Sequence, residues 1–228
     1  MKIEKITCHV LSTPIQQPFT SSRGWIYKTR GTCLVEIETD DGIVGWGECY
    51  GPSAVAKAFI DTQFAARIKG RDPFDVEVIW EELYNRIKDY GNKGMAIAAI
   101  SGIDIALWDI IGKACNKPVH KLIGGAFRSE VQAYATGLYF VDMDNLIGEA
   151  VEEAEGYVEE GFGAIKMKIG LGSIRKDVER VAAVRRAIGP DVRLMVDANH
   201  CFSVPMAIRL GRQLEELDVE WFEEPISP

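Results

Sequence analysis

The chain has 228 residues, 47% of them hydrophobic and 26% charged, with a formal charge of −8 and a sequence pI of about 5.0. This is the composition of an ordinary globular protein, long enough to bury a core in one or two domains. Its acidity excludes partners held mainly by attraction to polyanions, so neither nucleic acid nor an anionic membrane surface is expected.

No apolar run approaches the roughly 20 residues that cross a bilayer. The N-terminal stretch MKIEKITCHV alternates like a strand and lacks the apolar block of a signal peptide. Five cysteines, Cys8, Cys33, Cys49, Cys115 and Cys201, include no Cys-x-x-Cys pair. Reduced thiols, a cytoplasmic location and no zinc site built from these cysteines are the expectation.

In chain order, the segment TCLVEIETDDGIVGWGE puts Cys33, Val35 and Ile37 on one face and Glu36 and Glu38 on the other. It turns at Asp41-Gly42 and returns to Glu48, a hairpin. The preceding TSSRGWIYKTRG is too long for a tight turn and reads as an active-site lid. Three helices follow. One runs from about Ser53 to Lys69, and a second opens at Asp72-Pro73, an N-cap with proline at the first helical position. The third, GMAIAAISGIDIALWDIIGKACN, is apolar nearly all round and should be buried between other elements. Gly124-Gly125 ends this α+β unit.

Beyond about Arg128 the pattern becomes a repeat of roughly 30 residues, the length of one βα unit. VQAYATG, AIKMKIG, VRLMVDAN and VEWFEEP read as strands. They alternate with helices closed by Gly161, capped by Ser173 and ended by Gly189, and opened at Ser203 with Pro205 in the first turn. Strict alternation predicts either a doubly wound parallel sheet or a (β/α) barrel. In a barrel, four of eight strands leave two open edges.

Chemistry in such folds collects at the carboxyl ends of the strands. Those positions hold Lys166 and Lys168, then Asp197 with Asn199, then Glu223 and Glu224. Period-2 alternation sends both lysines to one face and Ile165, Met167 and Ile169 to the other. Two carboxylates at strand ends suit a hard divalent cation such as Mg²⁺. A metal on a substrate carboxylate favours loss of the neighbouring proton, and the base that takes it must be a neutral amine. A second ammonium beside that amine disfavours its protonated form, so Lys168 reads as the base and Lys166 as its neighbour on the substrate carboxylate.

Plainer readings stand beside these. Paired lysines also protect an exposed sheet edge, Asp197 and Asn199 can cap a loop, and Glu223-Glu224-Pro225 can be a solvated strand end. His200 reads as a proton shuttle near the site or as a hydrogen-bonded loop residue. Gly170-Leu171-Gly172-Ser173 before a helix is a weak phosphate cradle.

Taken together, these residues resemble the enolase superfamily, in its mandelate racemase and muconate lactonizing enzyme branch, across the whole chain. IKMKIG matches the K-x-K motif, VDAN the first metal ligand and WFEEP the second, with Asp197 31 positions after Lys166 and Glu223 26 positions after Asp197. The resemblance implies an α+β capping domain over residues 1–128, followed over residues 129–228 by the first half of a modified (β/α)7β barrel of the TIM type. It implies Lys166 and Lys168 as catalytic residues, Asp197 and Glu223 as Mg²⁺ ligands, and Asn199 and His200 at the substrate. The look is nearest to galactarolactone cycloisomerases and acid-sugar dehydratases. That implies proton abstraction α to the carboxylate of a sugar acid or its lactone, with a racemase or epimerase as the alternative. A homo-oligomer is expected at full length. No counterpart of the family's third metal ligand or opposing acid/base is found, so a longer protein of roughly 350–400 residues is expected. A chain ending at residue 228 would be a catalytically incomplete fragment.

Overall fold

A computed structural model describes residues 1–89 and 91–228, apart from the side chain of Arg23. The chain divides into two units: Met1–Pro14 with Thr29–Ser129, and Ile15–Lys28 with Glu130–Pro228.

The strands β1 (Ile3–Thr20), β2 (Ile26–Thr39) and β3 (Val44–Cys49) form a sheet in that order, with β2 and β3 antiparallel from Cys33↔Cys49 to Glu38↔Val44; residues 15–20 of β1 and 26–28 of β2 belong to the second unit, the rest to the first. The expected hairpin turn is present, closed by Gly42 N–H donating to the Thr39 carbonyl at 2.9 Å. Cys33, Val35 and Ile37 point into the core as their alternation predicts. Three cysteines, Cys8, Cys33 and Cys49, meet there, and burial pushes the Cys8 and Cys49 thiols up to about 12, with Cys33 adding to the shift.

The helices of the first unit are α1 (Ser53–Phe59), continued through a π-helical turn at Ile60–Phe64 into α2 (Ala65–Ile68), then α3 (Val76–Ile87), α4 (Met95–Ala114) and α5 (Val119–Leu122). The second helix opens later than its proline signal suggested. Asp72 instead accepts from Phe74 N–H through its side chain and from Asp75 N–H through its carbonyl, making a turn, and the helix begins after Asp75. At 20 residues α4 is, by length and composition, apolar enough to cross a membrane, contrary to the sequence expectation. Its Ile100, Ile103, Leu107 and Ile110 are buried in the core of the first unit, as in the core helix of a folded domain. The helix packs directly on β3. A Cβ at Gly47 would lie 1.9 Å from the Gly102 carbonyl oxygen, so only glycine lets the two backbones meet.

In the second unit, β4 (Ala135–Gly137), β5 (Ala164–Lys168), β6 (Arg193–Asp197) and β7 (Val219–Glu223) form a parallel sheet in sequential order. A doubly wound sheet reverses direction at a switch point, so sequential order selects the barrel-type alternative. The helices α6 (Leu146–Glu159), α7 (Ile174–Ile188) and α8 (Val204–Glu215) alternate with the strands. Ile165, Met167, Leu194 and Val196 form one core with Val181, Val184, Leu210 and Leu214. Strand β4 is shorter than VQAYATG suggests: its pairing with β5 runs only from Ala135↔Ile165 to Gly137↔Met167. Ser173 caps α7, accepting from Lys176 N–H at 3.3 Å, and Gly189 ends it in left-handed backbone at φ 71°.

Candidate active site

The register of the parallel sheet puts the chemistry in one row. Lys168 pairs with Asp197 and Asp197 with Glu223, so base candidate and both carboxylates sit side by side on three adjacent strands. Lys166 and Lys168 are each 8% exposed and Asp197 is 2% exposed, which excludes the edge-lysine reading. Lys168 Nζ donates to Asp197 Oδ2 at 2.6 Å, and Lys166 Nζ donates to Glu223 Oε2 at 2.7 Å. Lys166 Nζ also lies 3.8 Å from Asp197 Oδ2.

Two ammonium groups and two carboxylates thus form a nearly balanced cluster. Repulsion between the lysines, which the sequence reading took as the dominant effect, is met by a carboxylate in contact with each amine. For Lys166, burial works to lower the pKa, but the Glu223 hydrogen bond and charge, with Tyr134 and Asp197, outweigh it and hold the ammonium above its ordinary value.

Of the two glutamates, Glu223 turns to the lysines and also accepts from Trp221 Nε1 at 3.2 Å. Glu224 takes left-handed backbone at φ 44° and instead accepts from Asn199 Nδ2 at 3.2 Å. Asn199 N–H donates to Asp197 Oδ1 at 2.9 Å, which fixes that carboxylate. The Asn199 Oδ1 atom is buried without a partner among the described residues. His200 has both ring nitrogens engaged, Nε2 at 3.3 Å from Glu224 and Nδ1 at 3.2 Å from the Ile226 carbonyl. These contacts are those of the hydrogen-bonded loop residue, one of its two sequence readings.

The segment read as a lid forms a shorter connection than expected. β1 extends to Thr20 and β2 begins at Ile26, leaving Ser21–Trp25 between them, while the Arg23 side chain lies outside the described residues. Thr20 and Phe140 exchange both main-chain hydrogen bonds, at 2.8 and 2.9 Å. Ser22, 1% exposed, donates its hydroxyl to the Ile169 carbonyl, with the Asp197 carbonyl 3.5 Å away. The connection is therefore seated on the ends of β5 and β6. In the Gly170 loop read as a phosphate cradle, Gly170 N–H donates to Asp177 Oδ1 and Lys176 N–H to the Ser173 hydroxyl, so these two donors are used within the chain.

Sequence reasoning missed the aromatic and basic surroundings. Tyr134 and Tyr139 place their rings 5.7 and 5.6 Å from the Lys166 and Lys168 ammonium groups, close enough for attraction to the ring faces. Arg180 was missed too, although an arginine on the buried stripe of Asp177, Val181, Val184 and Ile188 was a visible anomaly.

Residues 3–124 match the family described as "Mandelate racemase / muconate lactonizing enzyme, N-terminal domain", and residues 149–228 match "Enolase C-terminal domain-like". The chain is 44% identical over 228 residues to D-galactarolactone cycloisomerase of Agrobacterium fabrum, covering all of this chain and 60% of that protein. It is 44% identical over 194 residues to arabinonate dehydratase of Saccharolobus solfataricus, covering 84% of this chain and 52% of that one. A solved racemase from Streptomyces coelicolor with bound magnesium superposes at a TM-score of 0.91 and 34% identity, over 99% of this chain and 63% of that one. The chain thus spans between half and two thirds of the length of these relatives.

Proposed function

The chain belongs to the mandelate racemase / muconate lactonizing enzyme family of the enolase superfamily, and on that premise we propose that the protein it represents abstracts the proton α to the carboxylate of a sugar acid or its lactone. Cycloisomerisation or dehydration follows through the resulting enolate. The observation that carries this reading is the row Lys168–Asp197–Glu223 with Lys166 beside it at the ends of three parallel strands, the lysines and Asp197 buried and Glu223 half-buried.

In this reading Lys168 takes the proton and Lys166 contacts the substrate carboxylate. Asn199, whose buried Oδ1 has no donor among the described residues, faces a substrate hydroxyl. His200 lines the same rim, held by Glu224.

Asp197 and Glu223 suit Mg²⁺ in kind, since both offer hard oxygen donors from neighbouring strands. They supply two of the six positions an octahedral ion prefers. No group of three His, Cys, Asp or Glu side chains able to hold a metal is found among the described residues. Bound there, Mg²⁺ would stabilise negative charge on the substrate carboxylate. It would also have to take over the Asp197 and Glu223 oxygens that the lysines now engage, leaving the amines freer to act.

A racemase or epimerase on the same residues is the second reading, favoured by the likeness to the magnesium-bound racemase. The test incubates the complete protein and Mg²⁺ with a panel of sugar acids and lactones in deuterated water. Exchange of the α-proton is expected, and Lys168→Ala should abolish it. Exchange that survives Lys168→Ala removes Lys168 as the base. Loss of water, ring isomerisation or inversion without either then separates dehydratase, cycloisomerase and racemase.

A further inference from the structure

With Lys168 as the proposed base, we infer that Arg180 is its positioning residue: the buried guanidinium pins the main chain that carries Lys168. The need for such a pin arises in the sheet itself. The β4–β5 ladder ends at Gly137↔Met167, and Leu138 then leaves in left-handed backbone at φ 51°. Ile169 N–H donates to the Asp197 carbonyl at 3.0 Å, toward β6. Amide directions alternate along a strand, so the Lys168 carbonyl faces the other way, toward β4, where the ladder has already stopped. A buried carbonyl without a donor is costly, and here it would belong to the residue whose amine must be placed most accurately.

Arg180 fills that gap. Its Nη1 donates to the Lys168 carbonyl, and its Nη2 to the carbonyls of Leu138 at 2.7 Å and Tyr139 at 3.2 Å. Its Nε donates to the Leu146 carbonyl at 3.1 Å. The Phe140 ring covers the guanidinium at 4.5 Å, and the residue is 3% exposed. All four acceptors are carbonyls, drawn from the end of β4, the end of β5 and the start of α6.

Burial lowers the guanidinium to about 10, opposed by the charges of Asp177, Glu149 and Glu153, so it is still charged near neutral pH. A planar fork with five N–H donors can hold these carbonyls together, whereas a lysine offers three donors from one point. Gly170, two residues beyond the base, is also held from α7, through Asp177. Displacement of a reacting group by about 1 Å costs on the order of 100-fold in rate, so slack in this short stretch reaches the chemistry.

The test uses the complete protein with Arg180→Lys and Arg180→Gln. For each we would measure kcat and KM for α-proton exchange, and amide hydrogen exchange without substrate. Arg180→Lys should lower kcat by about 10-fold or more while KM stays within about 2-fold. The amides of Ile169 and Gly170 should exchange at least about 10-fold faster, while those of Leu194 and Val196 in β6 keep their protection. Unchanged kcat overturns the inference, as does uniform loosening of the whole unit with no selective change at Ile169 and Gly170. Should neither variant fold, the wild-type protein still decides the matter. Its Ile169 and Gly170 amides should open only with the unit as a whole, and local opening there would refute the pin. If the wild type exchanges no sugar-acid proton, the proposed activity fails, while amide exchange still reports whether Arg180 fixes this segment.

Discussion

The Lys168–Asp197 contact offers the sharpest energetic test. Lys168→Met removes one partner of a 2.6 Å ion pair whose side chains are 10% and 3% exposed. Breaking a buried pair from one side costs about 3–5 kcal/mol when the remaining charge is left wholly uncompensated. Asp197 is not left so, because Lys166 Nζ remains 3.8 Å away and Asn199 N–H still donates to Oδ1 at 2.9 Å. We therefore expect a loss of about 2 kcal/mol, below the full uncompensated cost. Asp197→Asn keeps the acceptor for Asn199 and strands the Lys168 ammonium, at a comparable cost. With both changes neither charge is stranded, so the double variant should be more stable than the sum of the singles by about 2 kcal/mol. Urea denaturation, with amide exchange in β5 and β6 identifying the unit that unfolds, provides the assay. With a slope of about 2 kcal/mol/M, each single variant should shift the midpoint by about 1 M. A Lys168→Met protein as stable as wild type, or singles that add within about 0.5 kcal/mol, would show that the two groups are not in contact. The geometry offered for the proton-abstracting site would fall with it.

Two further outcomes are expected. Gly47→Ala in the first unit drives a methyl group into the Gly102 carbonyl of α4, and because main chain must move, a loss of about 3 kcal/mol, at the upper end of overpacking costs, should appear in thermal unfolding; an unchanged midpoint would refute the β3–α4 packing. Burial, opposed by the Gly170 hydrogen bond and the Arg180 charge, raises the Asp177 carboxyl above its ordinary 3.8. The folded state then holds this proton more tightly than the unfolded chain, so wild-type stability relative to Asp177→Asn should fall as pH rises from about 3.8 through the raised folded value. A relative stability that rises with pH over that window would contradict the sign.

The order of elements, the faces of the strands and the residues at the strand ends were legible in the amino-acid sequence alone. Those are properties of consecutive residues. Alternation placed Ile165 and Met167 against the helices and Lys166 and Lys168 on the other face, and the caps of α7 lay where Ser173 and Gly189 marked them. Tertiary structure decided what depends on residues far apart in the chain. Strand order chose the barrel-type sheet, which the βα repeat alone left open against a doubly wound one. Register put Lys168, Asp197 and Glu223 in one row, and only then could each lysine meet a carboxylate that the like-charge argument had left out. Ser22 reaches Ile169 across 147 positions of sequence, and Arg180 collects carbonyls up to 42 positions away. Periodicity is written in neighbouring side chains, but a hydrogen bond to a main-chain carbonyl leaves no mark on the identity of the residue that accepts it.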